Sequence, residues 1–269
     1  MPTPWIELAP QHKHGLTLAR PLLNAAGTLG FAGEARGAAA LPALGAFITN
    51  PFTWLPRTPA APPNVAPQPD GVLIHTGLPN PGLRAGLRRH AREWAREFRR
   101  LGLPVLVHLA ATTPADVRRS LELLERAEGV QGLELGVRDE LAGDDLTALV
   151  RAARGGPPLV VRVPAARAVE LAALAVRAGA DALTVGAPER VTREVAGRPI
   201  TGRLYGPGQF PAALKAVEAV LALGLDVPVI GAGGVFAPEQ VEALLAAGAA
   251  AVQLDAVLWR APAWLSAPG

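Results

Sequence analysis

The sequence predicts a single (β/α)8 barrel with a short β-hairpin at its start, spanning residues 1–269 as one domain. Short apolar segments alternate with helical segments along the whole chain, and eight of them have the length and composition of buried strands. The segments "AVRAGADALTV" and "ALLAAGAAAVQL" each predict a helix, a glycine that ends it and a following strand. Because repeated strand–helix units form parallel sheets and about 250 residues suit a closed barrel, the closed form is favoured.

The predicted strands lie between segments with helical spacing and recognisable start signals. Thr113-Pro114, Asp144-Asp145 and Ala237-Pro238 mark three helix starts. A hairpin over Trp5–Leu18 precedes the first barrel strand. The eight strands are predicted at Pro21–Ala25, Gly45–Thr49, Pro104–Leu109, Gly132–Leu135, Leu159–Val163, Ala182–Val185, Val227–Ile230 and Ala250–Leu254.

Two long segments interrupt this alternation. Residues 50–81 are rich in proline and are predicted to be irregular, and residues 186–209 form a second long connection. Both follow predicted strands. They should therefore lie at the carboxyl ends of the strands, where barrels carry their binding sites.

Composition narrows the function classes. The formal net charge of +3 is too small to indicate nucleic-acid binding, and the absence of cysteine excludes disulfides and thiol chemistry. Seven arginines between residues 84 and 100 fit the solvated outer face of a helix better than an acidic-partner surface. The first residues lack a signal-peptide pattern and no apolar run is long enough to span a membrane, so we expect a cytoplasmic protein without membrane contact.

Two features suggest a ligand site. Gly231, Gly233 and Gly234 follow the seventh strand, where backbone N–H groups can bind a phosphate, although glycines also serve turn geometry alone. His75 and His108 are predicted at the open face as pocket liners, a metal pair or a base. No carboxylate spacing completes a metal site around them, so no metal is predicted.

The chain resembles the dihydroorotate dehydrogenase family, especially its soluble class 1 branch. The resemblance runs in order through "NAAGTLG", "GLPNPGL", "VLVHLAATTPADV", "GLELG", "GRLYGPG" and "PVIGAGGV". It implies a barrel that binds FMN and oxidises dihydroorotate to orotate in pyrimidine biosynthesis. Such chemistry needs a base, cations near the flavin and a phosphate cradle.

The resemblance also implies positions for the binding residues. Substrate-binding positions correspond to His75, Gly77 and Leu78. FMN-binding positions correspond to Ala25, Ala26, Gly27, Asn50, His108, Arg162, Gly206, Gly233, Gly234, Asp255 and Ala256.

The family's base is the residue at which this sequence departs most. The family places a Cys or Ser in the loop after the fourth strand, and the chain has neither there. Asp139 stands at about that place, either as a substitute base or as an exposed acid near a helix start. The substrate-contacting Asn of this loop is Gly136 here, and that of the earlier Leu-Asn-x-x-Gly-Leu run is Ile74.

The positions at which the family has flavin-contacting lysines and a phosphate-binding Gly-Thr pair also carry other residues in this chain. A family lysine after the second strand corresponds to Asn50, and the lysine of the fifth strand corresponds to Arg162, which keeps the charge. The Asn-Thr pair after the sixth strand is Ala187-Pro188. The Gly-Thr pair after the eighth strand is Asp255-Ala256, which predicts a helix N-cap and a negative charge where a phosphate would bind.

Two functions of different class follow. One is an FMN-dependent oxidoreductase that acts on dihydroorotate or a diverged substrate. The other is a non-catalytic or FMN-free homologue that acts as a binding or assembly subunit. Either takes a small-molecule ligand, and we expect a homo-oligomer or a complex with a related subunit.

Overall fold

The computed structural model describes residues 5–33, 38–186, 188–260 and 263–266. Within these residues the strands are β1 (Ile6–Glu7), β2 (Thr17–Leu18), β3 (Leu22–Asn24), β4 (Phe47–Ile48), β5 (Val65–Gln68), β6 (Gly71–Ile74), β7 (Val105–Leu109), β8 (Gly132–Gly136), β9 (Leu159–Val163), β10 (Ala182–Val185), β11 (Glu189–Val195), β12 (Arg198–Tyr205), β13 (Val229–Ala232) and β14 (Ala251–Leu254). The α-helices are α1 (Leu83–Glu93), α2 (Pro114–Leu124), α3 (Gly143–Ala153), α4 (Ala168–Ala178), α5 (Phe210–Leu221), α6 (Pro238–Ala246) and α7 (Ala263–Ser266).

Eight strands form one parallel sheet in the order β3-β14-β13-β10-β9-β8-β7-β4. A parallel bridge between Leu23 and Ala46 joins the two ends of this order, so the sheet closes into a barrel. The prediction of a (β/α)8 barrel is confirmed. Each of the eight predicted strands is present; β13 is shifted by two residues at both ends, and β4 begins at Phe47 instead of Gly45.

The helices start where local chemistry favours them. Helix α2 begins at Pro114, and the Thr113 hydroxyl accepts a hydrogen bond from the Asp116 N–H at 3.1 Å. Its buried residues Val117, Leu121 and Leu124 recur at helical spacing and face the barrel. Helix α4 ends at Gly179, whose φ of 115° is a conformation that favours glycine.

The N-terminal hairpin closes the amino end of the barrel, as predicted. Strands β1 and β2 pair antiparallel, with Ile6 opposite Leu18. Leu8, Leu16 and Leu18 are buried and belong to the same apolar cluster as strand residues from the barrel interior. The carboxyl ends of the strands are therefore left as the open face.

The expectation that residues 50–81 are irregular is wrong, and the second long connection, residues 186–209, also contains strands. Strands β5 and β6 form a hairpin in the first segment, and β11 and β12 form one in the second. Together they make a four-stranded antiparallel sheet in the order β11-β12-β6-β5. Pro67 is tolerated because β5 lies at the edge of this sheet, where a missing N–H leaves no partner unpaired.

None of the described helices is both long enough and apolar enough to span a bilayer.

Candidate ligand-binding site

A cavity of about 440 Å³ lies at the open face, between the carboxyl ends of barrel strands and the four-stranded sheet. It brings together several predicted site residues, namely Ala26, Gly27, Asn50, Leu78, His108 and Arg162. Its size is in the usual range for small-molecule sites. His75 and Gly77 line a neighbouring cavity, and Leu78 lines both cavities.

Four arginines line the cavity: Arg57, Arg138, Arg162 and Arg203. No carboxylate is found among the described residues that line it. Three of these arginines were missed by the sequence analysis, because nothing in their local sequence separates them from the many surface arginines. The lining is therefore strongly cationic and suits an anionic ligand.

Two buried polar atoms at the cavity lack partners within the described part of the chain. They are Oδ1 of Asn50 and Nε of Arg162. Both residues contribute to the cavity wall. Because a buried donor or acceptor without a partner costs about 1–3 kcal/mol, a ligand that satisfies both would bind favourably here.

The Asp139 side chain lies in a bidentate ion pair with Arg203 of β12. The Arg203 Nη1 and Nη2 groups donate to the two carboxylate oxygens at 2.8 and 2.7 Å. Nη1 also donates to the Pro188 carbonyl oxygen at 2.9 Å. Both Asp139 oxygens are thus occupied, and its role as a base stays a prediction.

The predicted phosphate cradle already holds a carboxylate. Asp255 is buried, and its Oδ1 accepts from the Ala256 N–H at 2.6 Å while Oδ2 accepts from the Gly234 N–H at 3.5 Å. Gly233 and Gly234 have φ values of 106° and 69°, so the turn requires glycine. Burial raises the pKa of Asp255 to about 6.

Two aromatic residues, Tyr205 and Trp259, form part of the cavity wall. Tyr205 and Trp259 line it with ring centroids 5.6 Å apart, whereas Gly206, Gly233, Gly234, Asp255 and Ala256 are not part of its wall. The Trp259 indole N–H donates to the Thr28 carbonyl oxygen at 2.9 Å, which fixes the ring. Burial raises the pKa of Tyr205, as does the nearby Asp255 charge, while the Arg162 and Arg203 charges lower it.

Metal binding has no support from the described residues, among which no cluster of three or more His, Asp or Glu side chains could hold an ion.

Ala187 of the predicted Ala187-Pro188 pair lies outside the described residues.

These features define a (β/α)8 barrel with a cationic ligand cavity at the carboxyl ends of its strands. A family model described as "Dihydroorotate dehydrogenase" matches residues 9–267, and the chain belongs to this family. The predicted family resemblance is confirmed.

Relatives and solved structures agree with this assignment. The chain is 32% identical to the dihydroorotate dehydrogenase B (NAD(+)) catalytic subunit of Cutibacterium acnes, over 88% of this chain and 83% of that protein. It is also 32% identical to the protein of the same name from Desulforudis audaxviator, over 88% and 82%. A crystal structure of DHODH from Eimeria tenella in complex with ferulenol shares the fold, with a TM-score of 0.78 at 18% identity, over 97% of this chain and 81% of that one.

The residues of this chain do not fit FMN. The backbone N–H groups expected to bind the phosphate face the Asp255 carboxylate, whose ionised form would repel a phosphate dianion. Gly233, Gly234 and Asp255 are also not part of the cavity wall, in which Tyr205 and Trp259 lie.

Proposed function

We propose that this member of the dihydroorotate dehydrogenase family binds a small carboxylate ligand at the mouth of its barrel without FMN. The observation that carries the proposal is the Asp255 carboxylate, which accepts hydrogen bonds from the N–H groups of Gly234 and Ala256. An anion already built into the chain takes the place of the cofactor's phosphate. The loss of the family's Cys or Ser base and of both lysines supports the same reading.

A carboxylate is favoured as ligand by the charge of the cavity. Arginine binds carboxylates with two parallel N–H donors, and within the described part of the chain Arg57 and Arg138 form no salt bridge with an acidic side chain. The orphaned Asn50 oxygen adds an acceptor for a ligand N–H. Orotate is a suitable probe because it offers a carboxylate, ring carbonyls and ring N–H groups.

The test is an absorbance spectrum of the purified protein, followed by calorimetric titration with FMN and with orotate. We expect no visible flavin absorbance and measurable orotate binding that weakens as salt is added. Arg162→Met should weaken orotate binding at least tenfold, because a buried charged hydrogen bond is worth about 1.5–3 kcal/mol. Arg151→Met, on the exposed side of α3, is the matched control. Protein that purifies with stoichiometric FMN would contradict the proposal.

The second candidate is the flavin oxidoreductase itself. It is favoured by the extent of the match to relatives named as dihydroorotate dehydrogenase B catalytic subunits. FMN would then lie against Ala25, Ala26 and Gly27, with Asp139 as the base. Reduction of added FMN by dihydroorotate in the presence of the protein, lost in Asp139→Asn, would support this candidate over the first.

Assembly remains part of the proposal. The name "catalytic subunit" describes one chain of a complex, and we propose that this chain too associates, as a homo-oligomer or with a related subunit. Light scattering of the purified chain gives its mass directly. A monomer at micromolar concentration would exclude the homo-oligomer.

A further inference from the structure

His108 and Glu134 form a buried pair inside the barrel, next to the cavity. They lie opposite each other on β7 and β8, and the His108 Nδ1 is 2.6 Å from the Glu134 Oε2. The two residues are 4% and 0% exposed. A carboxylate without any solvent contact is costly to keep unless it is fully paired, so this arrangement calls for an explanation.

Two further barrel strands hold Glu134 in place. Its Oε1 accepts hydrogen bonds from the Gln253 Nε2 of β14 and from the Thr184 hydroxyl of β10. Gln253 also donates to the Thr184 hydroxyl oxygen at 3.2 Å. The carboxylate therefore accepts from three side chains on three different strands, which fixes its position and that of the imidazole.

Glu134 is ionised in this setting. Burial raises its pKa, but the hydrogen bond from His108, the charges of His108 and Arg162 and the hydrogen bond from Gln253 together bring the pKa below its usual value. An ionised carboxylate only accepts hydrogen bonds, so the His108 Nδ1 must carry the proton. The Nε2 atom is left as the second functional nitrogen of the ring.

The His108 ring lines the cavity, and its Nε2 atom lies next to Gly136, another residue of the cavity wall. A Cβ atom built on Gly136 would lie 2.4 Å from Nε2, so the ring occupies the space above the end of β8. His108, Gly136 and Arg162 all line the cavity, and Gly136 pairs with Arg162 between β8 and β9. The Nε2 atom is thus next to a glycine whose strand partner is Arg162.

We propose that Glu134 and His108 form a carboxylate–histidine dyad, in which the Nε2 of His108 is a general base toward the ligand of this cavity. Arg162 interacts electrostatically with Glu134 and lines the same cavity as His108. Glu134 is a positioning residue that holds the tautomer and stabilises the imidazolium once it forms. The inference rests on the proposed function for the ligand site and adds a reaction to it.

The reaction class is reversible proton abstraction from a carbon next to a carbonyl group. The C–H bond breaks, its proton moves to Nε2, and its electron pair forms the enolate, whose oxygen carries the negative charge. The Arg162 guanidinium, which lines the cavity, stabilises that oxygen in the proposed reaction. Return of a proton from the imidazolium restores the ligand, so the cycle requires no oxidant and no cofactor.

The first experiment follows deuterium uptake from D₂O at the carbon next to the ring carbonyl of L-dihydroorotate, by NMR. The wild-type protein should accelerate uptake above the protein-free rate without forming orotate. His108→Asn should reduce the catalysed rate by about 10²–10⁴, the usual contribution of a general base. Glu134→Gln should reduce it about tenfold or more, and the surface variant Glu128→Gln should not. Dihydroorotate binding without exchange, or exchange retained in His108→Asn, would overturn the proposal.

The second experiment measures the reactivity of the His108 imidazole without any substrate. The readout is the rate of carbethoxylation by diethyl pyrocarbonate, followed by peptide mass spectrometry. The His108 rate is measured relative to the exposed His14 of the same molecule, and orotate should slow it. Glu134→Gln should slow His108 and leave His14 unchanged. Equal His108 rates in wild type and Glu134→Gln would refute the dyad. Because this readout needs no ligand, failure of orotate to bind would count against the proposed function alone.

Discussion

Asp139 and Arg203 connect the loop after β8 to strand β12 through two parallel hydrogen bonds of 2.8 and 2.7 Å. The side chains are 25% and 29% exposed, so the pair is partly shielded from water. It ties the four-stranded sheet to the barrel at the edge of the cavity. It also neutralises one of the four arginines that line the cavity.

Asp139→Asn should therefore strengthen orotate binding and weaken the fold. Arg203 regains a full uncompensated charge, which favours an anionic ligand. The lost pair should lower the free energy of unfolding by about 1 kcal/mol, because solvent screens part of the interaction. Calorimetry and urea denaturation measure the two effects, with Glu128→Gln as the surface control. Unchanged or weaker orotate binding in Asp139→Asn would show that Arg203 does not contact the ligand.

The barrel could be predicted from the sequence because its strands are short, apolar and separated by capped helices. The four-stranded sheet could not, since its strands carry weak signals. β5 contains Pro67, and β11 is a largely exposed polar strand, Glu189–Val195, that has no buried face to set an alternating pattern. Long-range pairing of β12 with β6, rather than local propensity, stabilises these segments.

Site residues could be predicted only at positions that align with the family's binding residues. Asn50, His108 and Arg162 were placed at the cavity, and Asp255 at the turn after β14. Glu134 was not identified, because a lone acid within the strand "GLELG" has no recognisable motif. Its role depends on His108, Thr184 and Gln253, which come from three other strands and meet only in the folded barrel.

Gly136→Ala should displace the His108 ring. The added Cβ would lie 2.4 Å from Nε2 and 2.8 Å from Cε1, which is far inside contact distance. Overpacking of this kind typically costs about 1–3 kcal/mol in unfolding free energy. In a His108→Asn background the smaller side chain should leave room, so the same substitution should cost less. A double-mutant cycle by urea denaturation measures this coupling, and additive costs would contradict the ring position.

Asp255→Gly should give the chain affinity for inorganic phosphate. The substitution frees the N–H groups of Gly234 and residue 256 and removes a negative charge from the same turn. We expect a gain of about 1 kcal/mol, the size of one charge at a helix terminus, measured by the phosphate dependence of the melting temperature. Asp144→Gly, at the exposed start of α3, is the control. No gain in Asp255→Gly would mean that the turn is not an anion site.

Asp255 should also leave a signature in the pH dependence of stability. Burial raises its pKa from 3.8 to about 6 in the folded state, so between these values the folded chain binds the proton more tightly than the unfolded chain. Its contribution to stability is therefore largest below the unfolded value and is lost as pH rises through about 6, at up to about 1.4 kcal/mol per pH unit. Asp255→Asn removes this titration and keeps a side-chain acceptor. The unfolding free energy of wild type minus that of Asp255→Asn, from urea denaturation at a series of pH values, should fall across this window and level off above it. A difference that stays constant with pH, or that rises, would show that the carboxyl is not held in a desolvated site.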